Sequence, residues 1–361
     1  MFKKLLKAIL LFFLALVLIV VGYVAYLFLS YHRIDDNTKT DIASIGSPEP
    51  QIKAGQEYRI ASSNVGFGAY SDDYSFFMDG GTESWAFSKE AVNDNINGSI
   101  DVLSDINPDL MILQEVDIDA TRSYHVNEKD LILDGLSKKG FNNISNTFAL
   151  NYDSGFLFYP FNQPHGKTKA GLLTVSDFEI KEATRRSLPI EEGISKFIDL
   201  DRCYNKSIID MDNGKKLVLY NVHLSAYTTN PETSNNQVKL LNEDMAKEAA
   251  AGNYVIAGGD MNKDVLIDSA AYFHTTGTEN WAKPFPEDYL SAGLKLVKPI
   301  DEASPIPSCR NADKPYADDS FVITIDGFIV SDNVEVTAAN VYDNQFKYSD
   351  HNPVYMDFVL K

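Results

Sequence analysis

The stretch KYSDHNPV, Lys347 to Val354, runs straight into YMDFVL near the C-terminus. Val354, Met356 and Phe358 alternate with Tyr355, Asp357 and Val359, the period-two pattern of a strand with one buried face. Pro353 fits the start of such a strand, where a missing N–H costs little. Asp350 and His351 therefore stand side by side at a strand entrance. Ser, Asp, Asn and Pro are also turn formers, so the stretch alone reads as a turn. Only partners elsewhere in the chain give it chemistry.

Working outward, strands and helices alternate. Glu57 to Val65, Leu110 to Leu113, Leu217 to Leu224, Tyr254 to Asp260 and Ile323 to Ser331 read as strands. Val92, Ile96, Ile100, Leu103 and Ile106 recur at helical spacing within Ser88 to Asn107, and Pro108 ends that helix. A second helix is expected around Asn236 to Ala251.

The polar residues share one habit. Asn64, Glu115, His223, Asp260 with Asn262, Asp326, and Asp350 with His351 all lie within or at the end of an apolar strand. Acids there are costly unless paired or metal-bound. Each has a plainer reading: Asn64 as a turn residue before Gly66 and Gly68, Glu115 as the start of an exposed loop, His223 as a hydrogen-bonded core histidine. Asp326, between Ile325 and Gly327, is the least natural as a purely structural residue, because a buried acid in a strand usually orients a histidine or ligates a metal.

In order, Asn64, QEVD (Gln114 to Asp117), NVHL (Asn221 to Leu224), GGDMN (Gly258 to Asn262), IDGFIVS (Ile325 to Ser331) and SDHNPV (Ser349 to Val354) resemble the endonuclease/exonuclease/phosphatase superfamily, which includes deoxyribonuclease I, exonuclease III, neutral sphingomyelinases and inositol polyphosphate 5-phosphatases. The resemblance spans about Tyr58 to Phe358. It implies an α/β fold, the deoxyribonuclease I-like four-layer α/β/β/α sandwich, and hydrolysis of a phosphoester with Mg²⁺ or Mn²⁺. It implies Glu115 as the main metal ligand, with Asn64 and Asp350 beside the ion. Asp260 would activate water, Asn262 would hold the phosphate or nucleophile, and His223 would act on the transition state or leaving group. His351 would contact a phosphate oxygen while Asp326 fixes its ring. Oxygen ligands suit such an ion, and no thiolate cluster suggests zinc.

Two segments depart from the pattern. GFGAYSDDYSFFMDGGTESWAF, Gly66 to Phe87, is a long aromatic first loop that either shapes substrate choice or packs over the site. GKTKAGLLTVSDFEI, Gly166 to Ile180, resembles the family's Gly-x-Ala-Ile-Leu-Ser-Arg strand, yet Asp177 stands where a basic residue is usual. Lys167, Lys169, Arg185 and Arg186 are the cations available to compensate.

The N-terminus adds a different element. After Lys3, Lys4 and Lys7, Ala8 to Tyr31 carry no charge, which is long enough to cross a bilayer as one transmembrane helix; the alternative, a cleaved signal peptide, would have a shorter apolar run and a small-x-small cleavage site. Those lysines, set against Asp35, Asp36 and Asp41, place the N-terminus in the cytoplasm and the rest outside the membrane. The division expected is 1–31 as cytoplasmic tip and span, 32–56 as a polar linker with Pro48 and Pro50, and 57–361 as the catalytic domain. A net charge of −19 offers no footprint for a stable nucleic-acid partner. A phospholipid head group, nucleic acid and a small phosphate ester all remain open as substrates, and Cys203 and Cys309 could form one disulfide. The competing function is a catalytically inactive binding or scaffold protein on the same fold, against which the complete set of buried acids argues.

Overall fold

In a computed structural model the chain is described at residues 1–193, 195–197, 199–226, 228, 230–275 and 281–361. Its helices are α1 (Phe2–Ser30), α2 (Lys89–Ile106), α3 (Glu128–Lys138), α4 (Pro231–Ala250) and α5 (Ser269–Phe273). Its strands are β1 (Thr38–Lys39), β2 (Ile42–Ile45), β3 (Glu57–Asn64), β4 (Leu110–Ala120), β5 (Ile144–Asp153), β6 (Thr168–Ser176), β7 (Ile180–Ser187), β8 (Cys203–Asp210), β9 (Lys216–His223), β10 (Tyr254–Asp260), β11 (Leu294–Val297), β12 (Cys309–Arg310), β13 (Val322–Ile323), β14 (Asp326–Ser331), β15 (Val334–Val341) and β16 (Val354–Leu360).

Two seven-stranded sheets form, in the orders β1-β7-β8-β9-β10-β14-β11 and β15-β16-β3-β4-β6-β5-β2. Strand alternation decides how they stack. Ile60, Leu110, Ile112, Met356 and Phe358 of one sheet meet Leu217, Leu219, Ile256 and Phe328 of the other in a central core. The opposite faces are covered too: Met111 and Leu113 pack under α2 and α3, and Val218, Val222 and Val255 pack under α4. The result is the expected four-layer α/β/β/α sandwich, with one apolar N-terminal helix ahead of it.

Local signals place the helices. Ser88 caps α2 by accepting from the Ala91 N–H, and Asn107 closes it in the left-handed region at φ 51°. The helix expected around Asn236 begins earlier, because Asn230 caps it and Pro231 occupies its first turn. The strand expected over Ile323 to Ser331 is interrupted: Ser308 Oγ accepts from the Ile325 and Asp326 N–H groups, and only Asp326 onward joins the large sheet.

Three expectations are corrected. Residues 32–56 are not an unstructured spacer, because β1 pairs with β7 in one sheet and β2 with β5 in the other. Thr40, between them, shares its hydroxyl with Thr147 of one sheet and Asn205 of the other. Cys203 and Cys309 form no disulfide; both are buried free thiols whose pKa burial pushes up to about 12. Glu115 neither ends a strand nor begins an exposed loop, since β4 continues through it to Ala120.

Candidate active site

Register assembles the first half of the site. β9 and β10 are parallel, β10 and β14 antiparallel, and the pairing puts His223, Asp260 and Asp326 in one row across three neighbouring strands. Gly258 and Gly259 allow this spacing: a Cβ on Gly258 would stand 2.5 Å from the Phe328 ring, and one on Gly259 2.0 Å from the Val222 carbonyl oxygen. The glycines of GGDMN thus serve strand packing.

The other sheet supplies the second half. Asn64 ends β3, and His351 lies three residues before β16, which is antiparallel to β3. Glu115 sits at a bulge, where Gln114 and Glu115 fall between the pairs Leu113–Leu173 and Val116–Gly171. Its φ of 56° is left-handed, a strained state for a non-glycine residue that costs on the order of 1–3 kcal/mol. The bulge turns its carboxylate toward Asn64 and His223.

The contacts are close. Asn64 Nδ2 donates to Glu115 Oε1 at 3.2 Å and to Asp260 Oδ2 at 3.1 Å. His223 Nε2 lies 3.4 Å and His351 Nε2 3.9 Å from that same Asp260 oxygen. His351 Nδ1 is 2.8 Å from Asp326 Oδ2, which also accepts from Ser308 Oγ at 2.7 Å. Asp260 Oδ1 accepts from the Asn262 N–H at 2.8 Å, while the Asn262 side-chain amide donates to the Leu224 carbonyl. Ser349 Oγ donates to the Asn64 carbonyl and ties the SDHNPV turn to β3.

All eight candidate residues therefore converge. Glu115, His223, Asp260, Asn262, Asp350 and His351 line one cavity of about 250 Å³, with Asn64 and Asp326 behind them. Asn64 directs its amide nitrogen at the Glu115 and Asp260 carboxylates, while its side-chain oxygen accepts from the Gly66 N–H. Gln114 and Asn221, also in the motifs, instead bond across the sandwich, Gln114 Nε2 donating to Asn221 Oδ1 at 2.8 Å. The Gly66–Phe87 loop packs over the site: Tyr70 and Phe76 are core residues and also line the cavity.

Electrostatics separate the groups. Burial pushes Asp260 up to about 7, with His351 opposing the shift and the Asp326 and Glu115 charges adding to it. Burial also raises Asp350. His351 goes well above its ordinary range: burial alone would lower it, and the Asp326 carboxylate overrides that. His223 falls well below its usual value through burial, with the Arg202 and His351 charges adding. Its Nδ1 finds no hydrogen-bond partner among the described residues.

Sequence reasoning missed Ser308 and three arginines that line the cavity, Arg122, Arg202 and Arg310. No motif marks them. The cations expected to compensate, Lys167, Lys169, Arg185 and Arg186, do not line the cavity. Arg185 is buried in bonds to the Leu150 and Asp201 carbonyls, Arg186 pairs with Asp36, and Lys169 lies 3.7 Å from Asp153.

Asp177 departs likewise from its expected place. β6 is antiparallel to β4 and Ser176 pairs with Leu110, so Asp177 lies at the far end of the sandwich from Glu115. Burial, reinforced by Asp109, pushes its pKa up to about 7 against an ordinary 3.8. The folded state therefore holds that proton more tightly, and stability declines as pH rises from about 4 to about 7. Asp177→Asn should raise Tm at pH 8 and leave it unchanged at pH 4; an equal shift at both would disprove the titration.

A four-layer sandwich with acids and imidazoles gathered at one end of both sheets is an architecture of phosphoester hydrolases. The chain belongs to the endonuclease/exonuclease/phosphatase family, whose model matches residues 61–351. Similar solved structures share the fold at low identity. An endonuclease/exonuclease/phosphatase from Beutenbergia cavernae is 16% identical, with TM-score 0.55, over 84% of this chain and 72% of its own. A family protein from Leptotrichia buccalis is 16% identical, with TM-score 0.55, over 83% and 99%. ANGEL2, a 2′,3′-cyclic phosphatase, in complex with adenosine-2′,3′-vanadate, is 13% identical, with TM-score 0.53, over 90% and 99%. No curated protein matches the chain significantly.

Proposed function

We propose that the chain is a divalent-cation-dependent phosphoester hydrolase, held by α1 on the outer face of a membrane. The observation that carries this reading is the buried row His223, Asp260, Asp326 with His351 seated on Asp326. It places a carboxylate that titrates near neutrality beside one imidazole held protonated and another held neutral. A retired binding site would have little reason to keep groups so costly to bury.

The donor set fits a hard cation. Among the described residues no three His, Cys, Asp or Glu side chains close into a metal cage. What faces the cavity is the partly exposed Glu115 carboxylate with Asp350, hard oxygens suited to Mg²⁺ or Mn²⁺ that leave water and substrate to complete the shell. A bound ion would polarise the phosphoryl group and offset its charge.

The chain's own groups do the rest. Asp260 takes a proton from the attacking water, and the Asn262 turn fixes that carboxylate through its N–H. His351 donates from Nε2 to a non-bridging phosphate oxygen, while Asp326 holds Nδ1. His223, kept neutral, offers Nε2–H beside Asp260 as a hydrogen-bond donor and not as a strong acid. Water adds to phosphorus, the ester P–O bond breaks, the leaving oxygen takes a proton from solvent, and Asp260 returns to solvent the proton that it took.

Turnover of a panel of DNA, RNA, phospholipids, a 2′,3′-cyclic nucleotide and sugar phosphates, with Mg²⁺ and with chelator, tests the reading. Absence of cation-dependent hydrolysis throughout would overturn it in favour of a scaffold. Mg²⁺ should also raise Tm more at pH 8 than at pH 5, because protons compete for Asp350 and Asp260 as pH falls. Glu115→Gln should abolish most of that rise; an unchanged rise would place the ion elsewhere.

The tether reading rests on α1, whose 29 residues include no buried one and reach a mean hydropathy of 3.0 in their most apolar window. Protease added outside intact cells should digest the domain. Full protection, or a mature chain lacking α1, would overturn the topology.

A further inference from the structure

The loop between β5 and β6 reads GFLFYPFNQP, Gly155 to Pro164. Phe156, Phe158, Tyr159 and Phe161 are 40%, 50%, 62% and 77% exposed. Four large aromatic side chains left open in one short loop are unusual for a domain in water.

Their location is specific. The Phe156 N–H donates to the Tyr26 hydroxyl at 2.7 Å, and the Phe158 N–H donates to the Tyr23 hydroxyl at 2.8 Å. Both tyrosines belong to α1. About 20 helical residues cross the hydrocarbon of a bilayer, and counted from Ala8, the first residue after the last lysine, that reaches about Leu27. Tyr23 and Tyr26 thus fall in the outer part of the span, where tyrosines favour the boundary between lipid and water. A loop bonded to them cannot stand clear of the membrane that α1 crosses.

The same loop frames the active-site cavity. Gln163 Oε1 accepts from the Ser84 N–H at 2.7 Å, and Trp85 Nε1 donates to the Pro164 carbonyl at 2.7 Å, which brace the Gly66–Phe87 loop. The Tyr159 ring lies 5.9 Å from that of Phe77. On either side of Phe77, Phe76 and the half-exposed Met78 line the cavity, as does His165 just beyond the aromatic loop.

We infer that the Phe156–Phe161 loop inserts into the outer leaflet beside α1, docking the cavity mouth against the bilayer, and that the substrate is a phosphoester in a phospholipid head group. The substrate half of this inference rests on the hydrolase reading above. The docking half does not. With a chain at −19, attraction to anionic lipid contributes little, and the aromatic rings supply the contact.

The test uses the full chain in phosphatidylcholine vesicles containing phosphatidylethanolamine and phosphatidylglycerol. The native thiols are buried, so Phe161→Cys can be labelled alone with an environment-sensitive fluorophore. Its emission should shift to the blue and be quenched by spin-labelled lipid, whereas a label at Glu335→Cys, at the end of β15 away from the site, should not. Equal behaviour of the two labels overturns the docking. Changing Phe156, Phe158 and Phe161 together to Ser should lower release of phosphate ester from the vesicle lipids at least about tenfold, while hydrolysis of soluble bis(p-nitrophenyl) phosphate stays within about twofold. An equal loss on both substrates, no loss on either, or wild-type turnover of the soluble ester alone overturns the lipid assignment. If the wild type turns over neither ester, the lipid assignment is overturned, the wider substrate panel decides the hydrolase reading by itself, and the quenching still decides the docking.

Discussion

Asp260→Asn lowers kcat by about 10²- to 10⁴-fold, the range associated with loss of a positioned general base. The carboxylate is 2% exposed, lies within 4 Å of both imidazoles, and titrates near 7. The acid limb of the wild-type pH–rate profile should therefore lie at or below about pH 7, since a bound cation only pulls the value down. That limb should vanish from the residual activity of the variant; if it persists, some other group takes the proton. His351→Ala should lose activity on a similar scale, and Asp326→Asn less, because the ring remains but loses its partner. The double variant should be no slower than His351→Ala alone. In Asp326→Asn the His351 resonance should titrate at a lower pH than in wild type, a readout that general damage to the fold would not produce. Losses that multiply independently would show that the two residues are not one unit.

The second large effect is on stability. Arg122 reaches Asp117 through two bonds, Nη2 to Oδ1 at 2.8 Å and Nε to Oδ2 at 3.1 Å, and its guanidinium carbon lies 3.8 Å from the Phe67 ring centroid. Both partners are buried, and Glu128, also fully buried, accepts from the Asp117 N–H. Arg122→Leu removes the cation from two enclosed acids and should cost about 3–5 kcal/mol by urea unfolding. Adding Asp117→Leu to it should recover much of that loss, because an apolar pair replaces a stranded charge. A loss under about 1 kcal/mol for the single change would mean that water reaches Asp117.

What the sequence discloses here follows its local physics. β10 was readable to the residue, since YVIAGGD is a short apolar run closed by glycines and an acid. Asp326 and His351 were readable because a charge in an apolar run needs a partner. Glu115 could be nominated but not placed, since a bulge is a matter of register between strands far apart in sequence. Arg122 escaped for the same reason: in TRSYH it is an ordinary loop arginine, and only folding buries it against Asp117. Ser308 carries no chemistry until β14 brings Asp326 to it. The cysteines misled because two thiols outside a membrane invite pairing, while burial in separate clusters keeps them apart.

The segment after α1 bears on how this protein could be handled and how it sits. Arg33 is held to Asp201, Thr38 and Lys39 extend one sheet, and Ile42 to Ile45 extend the other, with Thr40 as the stitch between them. There is no slack between α1 and the sandwich. A soluble version has to be cut near His32, ahead of these contacts, because a cut at Glu57 would strip an edge strand from each sheet. A domain joined to its N-terminal helix in this way has no leash on which to tumble. With α1 in a bilayer, as proposed, the sandwich would move as one rigid body with its helix, and the cavity would keep a constant height over the plane of the lipid.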